Sequence, residues 1–214
     1  DPTLKWEPFF QDGNSVERGK AIVQVSGSLQ SLLKAERTAL NFLQHLSGIA
    51  TQTGRFVEKI QKFPVKILDT RKTTPGLRAQ EKQAVRMGGG KNHRLGLYDR
   101  FLIKENHLES CSIAEAIQKA KEKNKNHVLI EIEVGVEQVE EAIAAGATIL
   151  LLDNFSPKEL KKAVKQVAGR VKTEASGGIH FDNLVDYAKT GVDFISIGAL
   201  THSAPAADIS MLIH

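Results

Sequence analysis

From residue 64 onward the chain repeats one pattern, a short β-branched or aliphatic run followed in most cases by an amphipathic stretch. The runs are Val65–Leu68, Phe101–Lys104, Val128–Val134, Thr148–Leu152, Val171–Ala175 and Phe194–Ile197. Strands alternating with helices predict a parallel α/β architecture, because parallel neighbours need a crossover connection. A run as unbroken as Ile149-Leu150-Leu151-Leu152 predicts a strand covered on both faces. Six such strands, with polar groups at their C-terminal ends, favour a barrel-like sheet over an open doubly wound one. No G-x-G-x-x-G follows the first run, which weighs against a dinucleotide fold.

The punctuation between the runs agrees. Ser112-Ile113-Ala114-Glu115 and Ser156-Pro157-Lys158-Glu159 have the form of capping boxes, the second with Pro at the first helical position. Helices over Val136–Ala145 and Phe181–Lys189 are expected to stop at Gly146 and near Gly191. Before residue 64 the character changes. Asp12-Gly13 and Gly27-Ser28 bracket an expected strand at Ala21–Val25, and a long helix is expected from near Ser31, with Leu32, Leu33, Leu40, Leu43 and Leu46 on its apolar side. Residues 1–30 read as part of a small α+β unit that cannot bury a core by itself, and residues 31–214 as the barrel domain.

Of the 214 residues, 41% are hydrophobic and 25% charged, an ordinary globular composition. A net charge of +4 fits an anionic small molecule, while an aromatic share of 6% with no interleaved basic run argues against a nucleic-acid stacking platform. Cys111 stands alone, which rules out an intrachain disulfide and a CxxC metal site and points to a reducing, cytoplasmic setting. No apolar run reaches the roughly 18 residues a membrane span needs. The opening Asp1-Pro2-Thr3 resembles no secretory signal, and the lack of an initiator Met reads as a portion of something longer.

Chemistry concentrates in two segments, Asp69-Thr70-Arg71-Lys72-Thr73-Thr74-Pro75-Gly76 and Gly88-Gly89-Gly90-Lys91-Asn92-His93-Arg94. Arg71, Lys72, His93 and Arg94 repel one another unless an anion neutralises them, and the three glycines read as letting backbone approach that ligand. The other strands also end in polar groups. Lys104 closes the second and Glu131-x-Glu133 the third, followed by Asp153-Asn154, Ser176-Gly177-Gly178 and Gly198-Ala199. In a βα barrel such ends converge on one rim, and the last two turns are where phosphate is commonly held by backbone N–H groups. The expected ligands are a phosphate at the glycine turns, hydroxyls or a divalent cation at Glu133 and Asp153, and a second anion at Arg71, His93 and Arg94. A phosphorylated sugar donor with a carboxylated acceptor satisfies all three. Mg²⁺ suits one or two carboxylates plus substrate phosphates, and the want of a His-rich cluster argues against zinc.

These segments resemble a known family. Glu36–Thr51, Leu68–Arg78, Gly88–Asp99, Glu174–Ile179 and Gly191–His202 are similar to signatures of the quinolinate phosphoribosyltransferases, and the resemblance runs over nearly the whole chain from about residue 12. It implies an N-terminal α/β sandwich, of which residues 1–30 are a remainder, followed by an incomplete α/β barrel. It also implies transfer of phosphoribosyl from phosphoribosyl pyrophosphate to quinolinate with decarboxylation, and a homodimer or larger assembly with shared active sites. By similarity, Arg71, His93 and Arg94 hold the quinolinate carboxylates, with Thr70 beside them and Arg37 supplied by the neighbouring subunit. Lys72 and Lys104 contact the donor or the carboxylate. Glu133 and Asp153 hold the ribose hydroxyls and Mg²⁺, directly or indirectly. Ser176, Gly177, Gly178, Ile197, Gly198 and Ala199 cradle the 5′-phosphate, with His202 near it. Two departures stand out, a short N-terminal unit and Met87 where many relatives carry Cys. The rival readings are a nicotinate phosphoribosyltransferase, for which a doubled Arg/His cluster is excessive, a catalytically silent assembly subunit, and a phosphate-binding barrel without activity.

Overall fold

The computed structural model describes all of residues 1–214. An antiparallel hairpin of β1 (Lys5–Pro8) and β2 (Val23–Ser26) leads into α1 (Leu29–Lys59), a helix of 31 residues. Then come β3 (Lys66–Leu68), α2 (Arg78–Met87), β4 (Phe101–Ile103), the single turn α3 (Glu105–Leu108) and α4 (Ile113–Lys123). The rest alternates as β5 (Ile130–Glu133), α5 (Val139–Ala145), β6 (Ile149–Asp153), α6 (Pro157–Val167), β7 (Lys172–Ser176), α7 (Leu184–Ala188), β8 (Phe194–Ser196) and α8 (Ala199–His202).

The six later strands form one parallel sheet in the order β3-β8-β7-β6-β5-β4. That is the sequential order of a barrel opened at one seam, since β3 and β4 are consecutive yet lie at opposite edges. The expected incomplete barrel is therefore present. Ile132, Leu150, Leu152 and Ile195 are completely buried in its core. The seam is where the second basic segment enters. Lys91 makes a parallel bridge to Leu68, donating its N–H to the Ile67 carbonyl at 2.8 Å.

Both capping boxes form, with Ser156 N–H to Glu159 Oε2 at 2.8 Å and Ser112 N–H to Glu115 Oε2 at 2.9 Å. Gly146 ends α5 at φ 95°, in the left-handed region. Two expected helices are shorter than their patterns. Val136–Gln138 is a 3₁₀ turn before α5, and α7 begins only at Leu184. There the Asn183 side chain accepts from His180 N–H at 2.8 Å and donates to the Gly178 carbonyl at 3.0 Å, a local alternative to helical bonding.

The glycine triplet has a different role from the one expected. A Cβ on Gly88 would stand 2.3 Å from the Ala50 carbonyl oxygen, and one on Gly90 would stand 2.8 Å from Thr53 Cγ2. Those atoms belong to α1, so the triplet lets the end of α2 close on α1 rather than on a ligand. The amino-terminal half of α1 is also less covered than its leucines imply. Leu33 is 52% exposed, and full burial starts at Leu40. Every residue of β1 is exposed. No helix is long and apolar enough to cross a membrane.

Candidate active site

The strands deliver their last residues to one rim. Lys104 follows β4 and donates to Glu133 Oε2, at the end of β5, over 3.0 Å. Asp153 ends β6, where its carboxylate accepts from Ser176 Oγ and, at 2.7 Å, from Asn154 Nδ2. The next turn requires glycine. Gly177 has φ 86°, and a Cβ there would fall 2.1 Å from Asn154 Oδ1; Gly178 has φ 60° with open space beside it. Across the rim, a Cβ on Gly198 would stand 3.1 Å from both Lys72 Cδ and His202 Nε2, so these two side chains flank that turn. Thr201 Oγ1 ties the loop down by donating to the Lys72 carbonyl at 2.8 Å.

Beside this rim lie two arginines without a carboxylate partner. Arg71 is half-buried and its Nε has no hydrogen-bond partner. Arg94 reaches only the Arg100 carbonyl, at 3.4 Å. Burial lowers the Arg94 pKa, and repulsion from Arg71 lowers it further. Their backbone is firmly held. Asp69 is fully buried and accepts from Lys82, from Asn92 Nδ2 at 2.6 Å and from His93 N–H at 2.8 Å. Lys82 also donates to the His93 carbonyl at 2.9 Å. Burial raises the Asp69 pKa and lowers that of Lys82, each against the pull of the other. Arg78 braces the loop from outside, donating to Thr73 Oγ1 at 3.0 Å and to the Leu95 carbonyl at 3.2 Å.

Below the arginines, inside the barrel, is a buried charge cluster. His93 Nε2 lies 3.1 Å from Glu131 and 3.4 Å from Glu174, and Arg100 lies 3.1 Å from Glu131. Burial disfavours the charged imidazole, but the two carboxylates outweigh it and push its pKa up to about 9. Burial raises Glu174, while His93 and Arg100 overcome burial at Glu131 and lower it. Against a doubly protonated ring, Arg94 N–H donates to His93 Nδ1 at 2.7 Å, which needs a lone pair there. Of these two demands, the first puts the added proton on His93, which gives up the Nδ1 hydrogen bond, and the second puts it on Glu174, beside a neutral ring protonated at Nε2. Either placement leaves the four groups without net charge, the cheapest state for a buried set. One imidazole and two carboxylates could in principle ligate a metal. Here Arg100 already fills the cationic role, and a proton on Nε2 occupies the atom facing the carboxylates.

Most expected residues thus meet at the rim, with some corrections. His93 has both ring nitrogens engaged by the protein, so the guanidiniums of Arg71 and Arg94 are the free anion-binding groups. Ile197 is 2% exposed and donates its N–H to the Leu68 carbonyl at 3.0 Å, which leaves it supporting the turn rather than facing a ligand. Glu131 points into the buried cluster and not to the rim. Thr70 uses Oγ1 to accept from Lys72 N–H at 3.0 Å. Arg37 lies on the exposed part of α1, paired only loosely with Glu36 at 3.9 Å. Lys82, Arg78, Asn92, Arg100 and Glu174 were not singled out from sequence. Lys82 had a signal, since it shares a helical stripe with buried Val85 three residues on.

Comparison with known proteins agrees with this fold. The family described as quinolinate phosphoribosyl transferase, C-terminal domain, matches residues 49–212, and its N-terminal domain counterpart matches residues 2–47. A probable nicotinate-nucleotide pyrophosphorylase (carboxylating) of Bacillus subtilis is 48% identical, over 94% of this chain and 70% of that protein. A similarly named protein of Methanocaldococcus jannaschii is 43% identical, over 97% of this chain and 76% of its own length. The solved nicotinate-nucleotide pyrophosphorylase of Francisella tularensis superposes with a TM-score of 0.94 at 46% identity, covering 97% of this chain and 75% of that one.

Proposed function

The chain belongs to the quinolinate phosphoribosyltransferase family, and from that premise we propose how its own residues carry out the transfer. The reaction takes quinolinate and phosphoribosyl pyrophosphate to nicotinate mononucleotide, pyrophosphate and CO₂, as in de novo NAD biosynthesis. Arg71 and Arg94 hold the two quinolinate carboxylates, and Arg37 of a second copy completes the acceptor pocket in a homodimer or larger assembly. The Gly177-Gly178 and Gly198-Ala199 turns take the 5′-phosphate, with Ser176 and His202 at their edge. Lys72, which flanks the Gly198 turn, and Lys104 meet the negative charge of the donor.

The chemistry asks little of acid–base groups. The pyridine nitrogen attacks C1 of the ribose with its own lone pair, the C1–O bond to pyrophosphate breaks, and no proton need be removed. Glu133 and Asp153 stabilise the positive charge that develops on the sugar. Glu133 commits one oxygen to Lys104, and Asp153 keeps acceptor capacity beyond its two donors, so the pair fits a Mg²⁺ shared with substrate oxygens. When bound, that ion neutralises the departing pyrophosphate. The alkylated ring is then cationic and takes up the electron pair left as the adjacent carboxylate departs as CO₂; that ring carbon afterwards gains a proton. The protein binds, orients and excludes water. A cytoplasmic enzyme fits the single cysteine.

The carrying observation is the pair of guanidiniums without a carboxylate partner beside a rim of lysines and carboxylates. A monocarboxylate acceptor would leave one of them uncompensated, which favours quinolinate over nicotinate. The deciding experiment measures CO₂ release with phosphoribosyl pyrophosphate and Mg²⁺, beside nucleotide formation from nicotinate. CO₂ release from quinolinate without turnover of nicotinate is expected. Turnover of nicotinate alone would establish the rival reading.

A further inference from the structure

Arg71 and Arg94 repel each other, and neither has a protein carboxylate to hold it. On free loops two such side chains would part into water, where charge is cheap. Their spacing is instead set from beneath. Asp69 stands two residues before Arg71, just past the end of β3, and His93 immediately precedes Arg94. Asp69 accepts the His93 N–H at 2.8 Å, and Lys82 donates to the His93 carbonyl at 2.9 Å while paired with Asp69. Both backbone polar groups of His93 are thus held by one ion pair, whose acid directly follows the strand that leads to Arg71. Asn92 Nδ2 adds a brace, donating to Asp69 Oδ2 at 2.6 Å and to the Lys82 carbonyl at 2.8 Å.

A buried pair of this kind adds little stability over well-packed apolar residues, so its presence calls for another reason. We propose that Asp69 and Lys82 are positioning residues that hold Arg71 and Arg94 side by side against their repulsion, making the site selective for an acceptor with two neighbouring carboxylates over one with a single carboxylate. The inference rests on the acceptor reading above and deepens it. A dicarboxylate neutralises both guanidiniums at a spacing the protein has already fixed. A monocarboxylate leaves one unmatched and the repulsion unrelieved. If the pair is loosened, the arginines separate and the advantage of the second carboxylate is lost, while the phosphate turns across the rim are untouched.

The test is calorimetric titration of the whole chain with quinolinate, nicotinate and phosphoribosyl pyrophosphate, for the wild type and for Asp69→Asn combined with Lys82→Met. The double variant removes both charges together and leaves an acceptor for the His93 N–H, whereas either single variant strands a buried charge. Quinolinate is expected to weaken by about tenfold in the double variant, with the other two ligands changed by less than about twofold. Unchanged quinolinate affinity, or an equal loss for all three ligands, would overturn the positioning role and leave the acceptor reading standing. The wild type alone gives a second check that needs no folded variant, since it must bind quinolinate at least about tenfold tighter than nicotinate. Equal affinities there would overturn the selectivity, and no quinolinate binding at all would overturn the acceptor reading with it.

Discussion

Burial and the carboxylates of Glu131 and Glu174 act in opposite directions on His93, and the carboxylates prevail, carrying its pKa to about 9. A folded-state pKa above the unfolded value means the folded protein binds this proton more tightly. The stability it confers is complete below about pH 6.5 and is lost as pH rises through about 9, with an upper bound of about 3 kcal/mol. Chemical denaturation between pH 6 and 10 should therefore show a decline in that window that His93→Gln lacks; parallel profiles would remove His93 as its source. At the same scale, Arg94→Ala should weaken quinolinate binding by about 1.5–3 kcal/mol, because it deletes a charge-assisted contact. A titration showing wild-type affinity would take Arg94 out of the acceptor pocket.

At the level of elements, the sequence spelled out starts and stops wherever a local hydrogen bond decides them. Ser156 and Glu159 bond each other's backbone, and Ser156→Ala should cost about 1 kcal/mol, read as a lower denaturation midpoint with unchanged slope. The same local logic placed the stop at Gly146. It failed at α7, where Asn183 bonds backward into the loop, and at the Gly88–Gly90 triplet. The triplet is a tertiary device whose neighbours, Ala50 and Thr53, lie far away in sequence. Local pattern can announce that backbone must come close to something there, but not that the something is α1.

Across the whole molecule, stability resides in the parallel sheet and its helices, while the hairpin contributes little of it. β1 is fully exposed, and Trp6 and Phe9 are 65% and 48% exposed. Removing residues 1–27 should lower the unfolding free energy of the remainder by no more than about 2 kcal/mol, since little apolar area returns to water. A loss of cooperative unfolding would instead make the hairpin part of the folding unit. The carboxyl-terminal segment is the contrasting case. Ala207 N–H donates to the Gln44 carbonyl at 2.9 Å, and a Cβ on Gly48 would stand 2.1 Å from the Pro205 carbonyl oxygen, so this irregular chain is strapped tightly across α1.

Strand alternation, apolar runs and capping residues determined the barrel class, and the polar strand ends located the rim at Lys104, Glu133, Asp153, Ser176 and Gly198. These are properties of periodicity and of neighbours within a few residues, which a linear chain displays. Tertiary structure alone decided which charges are free and which are committed. Arg71 and His93 look alike in sequence, two basic groups in adjoining motifs, yet one keeps an unpartnered guanidinium and the other gives both ring nitrogens to the protein. The difference comes from Glu131 and Glu174, brought to Nε2 from two separate strands by the closing of the sheet, and from the Arg94 N–H at Nδ1. A charge becomes available to a ligand only through what the fold leaves unpaired beside it.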